Sequence, residues 1–181
     1  PLPATPHPPP AYERPLFDGR ETEFPFFFYP YSSVALGDGR GANRPWLQEL
    51  PDPLTTAVWG SWVELNPVSA RAHGLQPGEV VRVISPYGLV EAPVVFFPGM
   101  RPDLVGMPIG QSHRAYGRYA QNRGVNPLTL VGPSMDPRAA CLATGATRVR
   151  IERTGRQGRL VLIDQTAKSA GGELISIERK R

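Results

Sequence analysis

Two polar segments hold most of the side chains that could do chemistry. The first, GDGRGANRP at residues 37–45, sets Asp38, Arg40, Asn43 and Arg44 among glycines. The second runs from Gln111 to Asn126 and offers Gln111, Ser112, His113, Arg114, Tyr116, Arg118 and Asn126. Guanidinium groups bind phosphate and carboxylate through two parallel hydrogen bonds, while amides and hydroxyls supply directional donors and acceptors for a base or sugar. Glycines let a backbone approach a ligand closely. The mixture suits a nucleotide. An ordinary solvated loop has the same composition, and residue types alone leave both readings open.

Catalytic constellations are missing. The chain has no GxSxG elbow, Walker loop or HExxH pair. GxG matches at Gly37–Gly39 and Gly39–Gly41 lack the strand–turn–helix setting of a dinucleotide fingerprint. Cys141 is the only cysteine, so this chain by itself is expected to hold no iron–sulfur cluster, no multi-thiolate zinc site and no internal disulfide. His7, His73 and His113 show no metal-ligand spacing, and His113 alone reads as a loop histidine. Trp46, Trp59 and Trp62 read as core or interface residues.

The net charge is +4, and 18 of the 20 basic residues are arginine. A GC-rich coding sequence and contact with anions both account for that bias. The densest basic stretch, TRVRIERTGR, alternates as a strand with one solvated face does, so no nucleic-acid partner is expected.

Positioning those loops requires strands. FPFFFYPY (residues 24–31) is an aromatic strand candidate that Pro25 and Pro30 should confine to a sheet edge or shorten. WVEL (62–65) reads as a short strand ending at Asn66. It leads into a helix with Asn66 as N-cap, Pro67 in the first turn and Gly74 as left-handed terminator. QPGE is a type II turn. Strands follow at 79–85 and 88–97, the latter bending at Pro93, and at 104–110. Residues 111–126 form a long loop or broken helix, of the length that is often functional. Further strands are expected at 147–152, 159–163 and 173–177.

Seven or eight short strands, one or two short helices and many Gly/Pro turns define a mainly β protein, either a barrel or a sandwich. A barrel is favoured because a helix inserted between strands sits naturally across a barrel end. With 40% hydrophobic residues the chain can build one core. It carries 22 prolines, nine of them in the first 30 residues, against a usual share of ~5%. The opening PLPATPHPPP is expected to be extended and to depend on neighbouring protein for order. The expected organisation is an arm at 1–23, a barrel domain at 24–165 and a C-terminal strand and tail at 166–181. The linker-like start at Pro1 suggests a piece of a larger protein. No apolar run is long enough to span a membrane as a helix.

The order of motifs adds a resemblance. GDGRGANRPWLQELPDP, then VELNPVSARAHGLQPGEVVRVISPYGLVEAPVVFFPGMRPDLVGMPIG, then GVNPLTL, resembles the C-terminal dinucleotide-binding domain of molybdopterin oxidoreductases over roughly residues 25–152. The stretch GRGANRPWLQELPDPLTTAVWGSWVEL is most similar to the molybdopterin-like subunit of alternative complex III and of polysulfide-reductase-like complexes. There the domain is thought to serve as a scaffold without molybdenum. After the threonine of TGRQGRLVLIDQT, AKSAGGEL stands where the family has a histidine-containing segment.

The resemblance implies a double-psi β-barrel that caps catalytic domains and holds the guanine dinucleotide part of a molybdopterin cofactor, carrying molybdenum or tungsten. Carried over by position, the binding residues are Gly39, Arg40, Asn43, Ser112, His113 and Asn126, with the metal ligand outside this chain. The implied partners are the other domains of one large subunit and the iron–sulfur and membrane subunits of a redox complex. Such a complex lies at the periplasmic or membrane-associated face of a bacterium. Two alternatives stand beside this: a cofactor-free structural domain in a quinol-oxidising complex, and a free-standing β-barrel module for an anionic partner.

Overall fold

The computed structural model describes residues 15–163. His7, residues 1–14 of the expected arm and the strand expected at 173–177 lie outside the described residues.

Six strands close into a barrel in the order β1–β6–β3–β5–β4–β9. In chain order they are β1 (Phe26–Ser32), β2 (Ala57–Val58), β3 (Val63–Leu65), β4 (Glu79–Ile84), β5 (Leu89–Phe96), β6 (Leu104–Ile109), β7 (Met135–Asp136), β8 (Cys141–Leu142), β9 (Arg148–Gln157) and β10 (Val161–Leu162). Of these, β2 pairs with β10 and β7 with β8 in small separate sheets. Helix α1 spans Pro45–Gln48, α2 spans Pro67–Ala72, and Pro127–Leu130 is a turn of 3-10 helix.

The alternation of the strands makes the barrel. Phe26 and Phe28, Val81 and Val83, Val90, Ala92 and Val94 each lie two residues apart along their strands, so each set faces inward. Val63, Leu65, Val105, Met107 and Val149 complete that interior, and Ala70, Leu75 and Leu130 join it from the α2 segment and the 3-10 turn. Closure leaves no long exposed edge. The mainly β architecture read from the sequence is what forms.

Helix α2 follows its local signals. Asn66 Oδ1 accepts from Val68 N at 2.8 Å, Pro67 opens the helix, and Gly74 sits at φ +65° just past its end. Elsewhere the expectations need correction. β1 is not a sheet edge: it pairs with β6 from Phe27 to Ser32 and with β9 at Phe26 and Phe27. Pro30 is tolerated because β9 has already left at that level, so no ladder bond asks for its missing N–H. The strand expected at 88–97 does form, as β5, and continues through Pro93, which stands opposite Val80. β9 is longer than the expected 147–152, and β10 is reduced to two residues outside the barrel. The described residues just before β1 are bound to the barrel: Asp18 bridges Thr147 and Phe17 packs on Phe27 at 4.8 Å.

Candidate functional site

The pairing of β1 with β6 is parallel and runs in register from Phe27↔Leu104 to Ser32↔Ile109. Parallel neighbours end at the same side of a barrel. The segments that leave them, 33–44 after β1 and 110–126 after β6, therefore emerge side by side. This pairing brings together the two polar segments, which are some seventy residues apart in the chain.

The first segment is a chain of tight reversals. Gly37 N donates to Ser33 O, Gly39 N to Leu36 O, Ala42 N to Gly39 O and Arg44 N to Gly41 O, all at 2.8–3.0 Å. Gly39 lies at φ +100°, and a Cβ there would stand 2.9 Å from His113 Nε2 and 3.1 Å from Gly110 O. Only glycine fits that approach.

The second segment folds back on itself. Ser112 N donates to Arg123 O at 2.7 Å and Asn122 N to His113 O at 2.9 Å, with Ser112 at φ +77° and Asn122 at φ +58°. Arg123 Nε donates to Tyr119 O at 2.7 Å, and its guanidinium lies 4.3 Å over the Trp59 ring. Three further contacts clamp the loops together. Asn43 Oδ1 accepts from Tyr119 N at 3.1 Å, Tyr116 Oη donates to Arg40 O at 2.7 Å, and Gly117 lies so close to Asn43 that a Cβ would fall 2.2 Å from its Nδ2.

Gly39, Arg40, Asn43, Ser112 and His113 thus share one loop cluster. No described contact ties Asn126 to that cluster: its side chain accepts from Leu128 N at 3.1 Å and caps the 3-10 turn. The Arg40 guanidinium is engaged by Asp38 at 2.6 Å, and that contact holds the exposed Asp38 carboxyl below its usual range. Arg44 and Arg114 are exposed, and Arg118 lies 4.5 Å over the Tyr119 ring. His113 Nε2 is buried and has no hydrogen-bond partner among the described residues, while its ring packs 4.9 Å from that of Tyr116.

Some structural participants carry no signal of type or spacing. Gln48 is one: it is buried and joined amide to amide with Gln111, which the second polar segment already offered. Trp62 is buried and donates to Glu64 Oε1 at 2.9 Å, whereas Trp46 is exposed. The arginines of β9 are largely spoken for. Arg148 is buried and donates to Phe24 O and Pro25 O, Arg153 pairs with Glu79, and Arg156 with Glu91. No described helix is long and apolar enough to cross a membrane, and no described cluster of His, Cys, Asp and Glu could hold a metal.

Comparison with known proteins places this architecture. Residues 46–163 match the molydopterin dinucleotide binding domain family, and the chain belongs to it. It is 35% identical over 152 residues to the arsenate respiratory reductase molybdopterin-containing subunit ArrA of Shewanella sp. (strain ANA-3), covering 80% of this chain and 18% of that protein. It is 36% identical over 120 residues to the menaquinone reductase, molybdopterin-binding-like subunit of Nitratidesulfovibrio vulgaris, covering 66% of this chain and 17% of that protein. The chain therefore spans less than a fifth of the length of these curated relatives. Its fold is similar to part of acetylene hydratase from Pelobacter acetylenicus, with a TM-score of 0.60 at 13% identity, over 78% of this chain and 21% of that one. Family membership makes this a molybdopterin-oxidoreductase-type dinucleotide-binding domain, and it points to molybdopterin guanine dinucleotide as the cofactor.

The loop cluster fits a dinucleotide. It has an unsatisfied buried imidazole nitrogen, exposed guanidinium groups and a glycine cradle that a side chain would fill. Buried polar atoms without partners are rare and ask for an explanation.

Proposed function

We propose that this chain is the dinucleotide-holding domain of a larger respiratory oxidoreductase subunit, and that the cluster of 37–44 with 110–126 receives the guanine dinucleotide end of the cofactor. The observation that carries this is His113 Nε2, buried against Gly39 without a partner in a loop pair otherwise closed by hydrogen bonds. Gly39, Asn43, Ser112 and His113 would line the site, and Arg44 and Arg114 would supply charge for phosphates. Arg40 would join them on release from Asp38, and Asn126 through movement of the 3-10 turn. When bound, the cofactor supplies metal-centred redox chemistry; this chain orients its far end and shields it from water. The two non-consecutive parallel pairs, β1–β6 and β3–β5, support the double-psi reading of the barrel. The matching partners are the remaining domains of the same subunit and iron–sulfur and membrane subunits, on a periplasmic or membrane face.

Titrating GDP into the chain tests the reading. Shifts of the Gly39, Ser112 and His113 resonances at millimolar GDP are expected; their absence refutes it.

A second reading is favoured by the Arg40–Asp38 pair, which already occupies the cation nearest the glycine cradle. In it the domain is a cofactor-free structural part of a quinol-oxidising complex. Molybdenum or tungsten in stoichiometric amount in the native complex would exclude that reading.

A further inference from the structure

The PWLQ segment does something that neither the fold nor the proposed binding residues account for. Gln48, the last residue of α1, is 2% exposed, and its amide is fully engaged. Its Nε2 donates to Ala42 O at 2.7 Å and to Gln111 Oε1 at 3.3 Å, and its Oε1 accepts from Gln111 Nε2 at 2.7 Å. Gln48 O accepts from Trp59 N at 3.1 Å, and the Trp59 ring supports Arg123, whose carbonyl holds Ser112 N. One amide pair therefore touches the glycine loop at Ala42 and the first residue of the late segment after Gly110. The two glutamines also line a cavity of about 20 Å³ beneath the loops, room for a single water.

The geometry points to Gln48 and Gln111 as positioning residues: their paired amides set the spacing between the glycine loop and the late loop, and so the shape of the dinucleotide site. This rests on the binding reading above. Both side chains are buried, Gln48 at 2% and Gln111 at 8% exposure, so the role is one of holding the loops rather than of direct contact. A buried amide pair is suited to the task because each amide has directional donors and acceptors, so a shift of one loop breaks bonds on the other.

The test compares the whole 181-residue chain with Gln48→Leu, Gln111→Leu and the double variant. Apparent Kd for GDP and thermal midpoint are followed together with amide exchange at Ala42 and Ser112. Each single variant should weaken GDP binding at least tenfold and speed exchange at both amides at least tenfold, with exchange in β4 and β5 unchanged. Removing both glutamines takes away the stranded Gln111 amide but still leaves Ala42 O without its donor, so the double variant should recover part of the thermal midpoint lost in Gln48→Leu. It should not recover binding. If binding returns along with stability, or if either single variant binds GDP within twofold of the parent, the amides are only structural and the proposal is overturned. Should the parent chain itself not bind GDP, the binding reading falls. The positioning claim is then decided by exchange alone: unchanged rates at Ala42 and Ser112 in both single variants overturn it.

Discussion

Gly39→Ala tests the contact on which the candidate site depends. Two costs can be worked out. At φ +100° an L-residue carries backbone strain of about 1–3 kcal/mol. The new methyl would also stand 2.9 Å from His113 Nε2, 3.1 Å from Gly110 O and 3.2 Å from Gly110 Cα. Two of those three atoms are backbone at the end of β6 and cannot swing away, so overpacking adds about 1–3 kcal/mol. The sum is about 2–6 kcal/mol, and at ~2–4 °C per kcal/mol for a domain of this size the midpoint should fall by at least about 4 °C. Gly37→Ala is the control. It lies at φ +57° with nothing within 4 Å of its would-be Cβ, so it meets only the left-handed penalty of about 1–2 kcal/mol. Thermal and urea unfolding of both variants, followed by circular dichroism, measure the difference. If Gly39→Ala and Gly37→Ala agree within about 0.5 kcal/mol, the close approach of the two loops is wrong, and with it the construction of the site.

Glu64 gives a pH prediction. Burial raises its carboxyl above the ordinary 4.5, against the lowering effect of hydrogen bonds from Tyr31 and Trp62. The folded chain thus holds this proton more tightly than the unfolded chain does. Its contribution is complete below about 4.5 and is lost as pH rises through the folded value. Glu64→Gln should gain stability relative to the parent as pH climbs from 4.5, and parallel stability curves from pH 4 to about 8 would contradict this. Asn66→Ala removes the cap on Val68 N and should cost about 1 kcal/mol by denaturant midpoint with an unchanged m-value. Leu65→Ala, at a side chain 1% exposed inside the barrel, should cost about 2–5 kcal/mol in the same assay.

Local features were legible in the sequence because their causes are local. The Asn66–Pro67 start and Gly74 stop of α2 follow from neighbouring backbone groups, and the alternation of Val81, Val83, Val90, Ala92 and Val94 follows from the pleat of a strand. The composition of the two polar loops suited a nucleotide and a solvated loop alike, whereas the order of motifs pointed to the family that the comparisons show. What the linear chain could not show was contact. Whether Gly39 meets His113 depends on β1 running parallel to β6, a pairing between strands more than seventy residues apart. The tertiary structure likewise sorted side chains of one type into different duties. Gln48 and Gln111 lie inside, Arg148 is buried against backbone carbonyls, Arg40 is held by Asp38, and Arg44 and Arg114 remain at the surface. Polar side chains announce what bonds they can make. Only the packing of distant strands decides which partners are within reach, and Asn126, spent on its own 3-10 turn, shows how a local partner can win first.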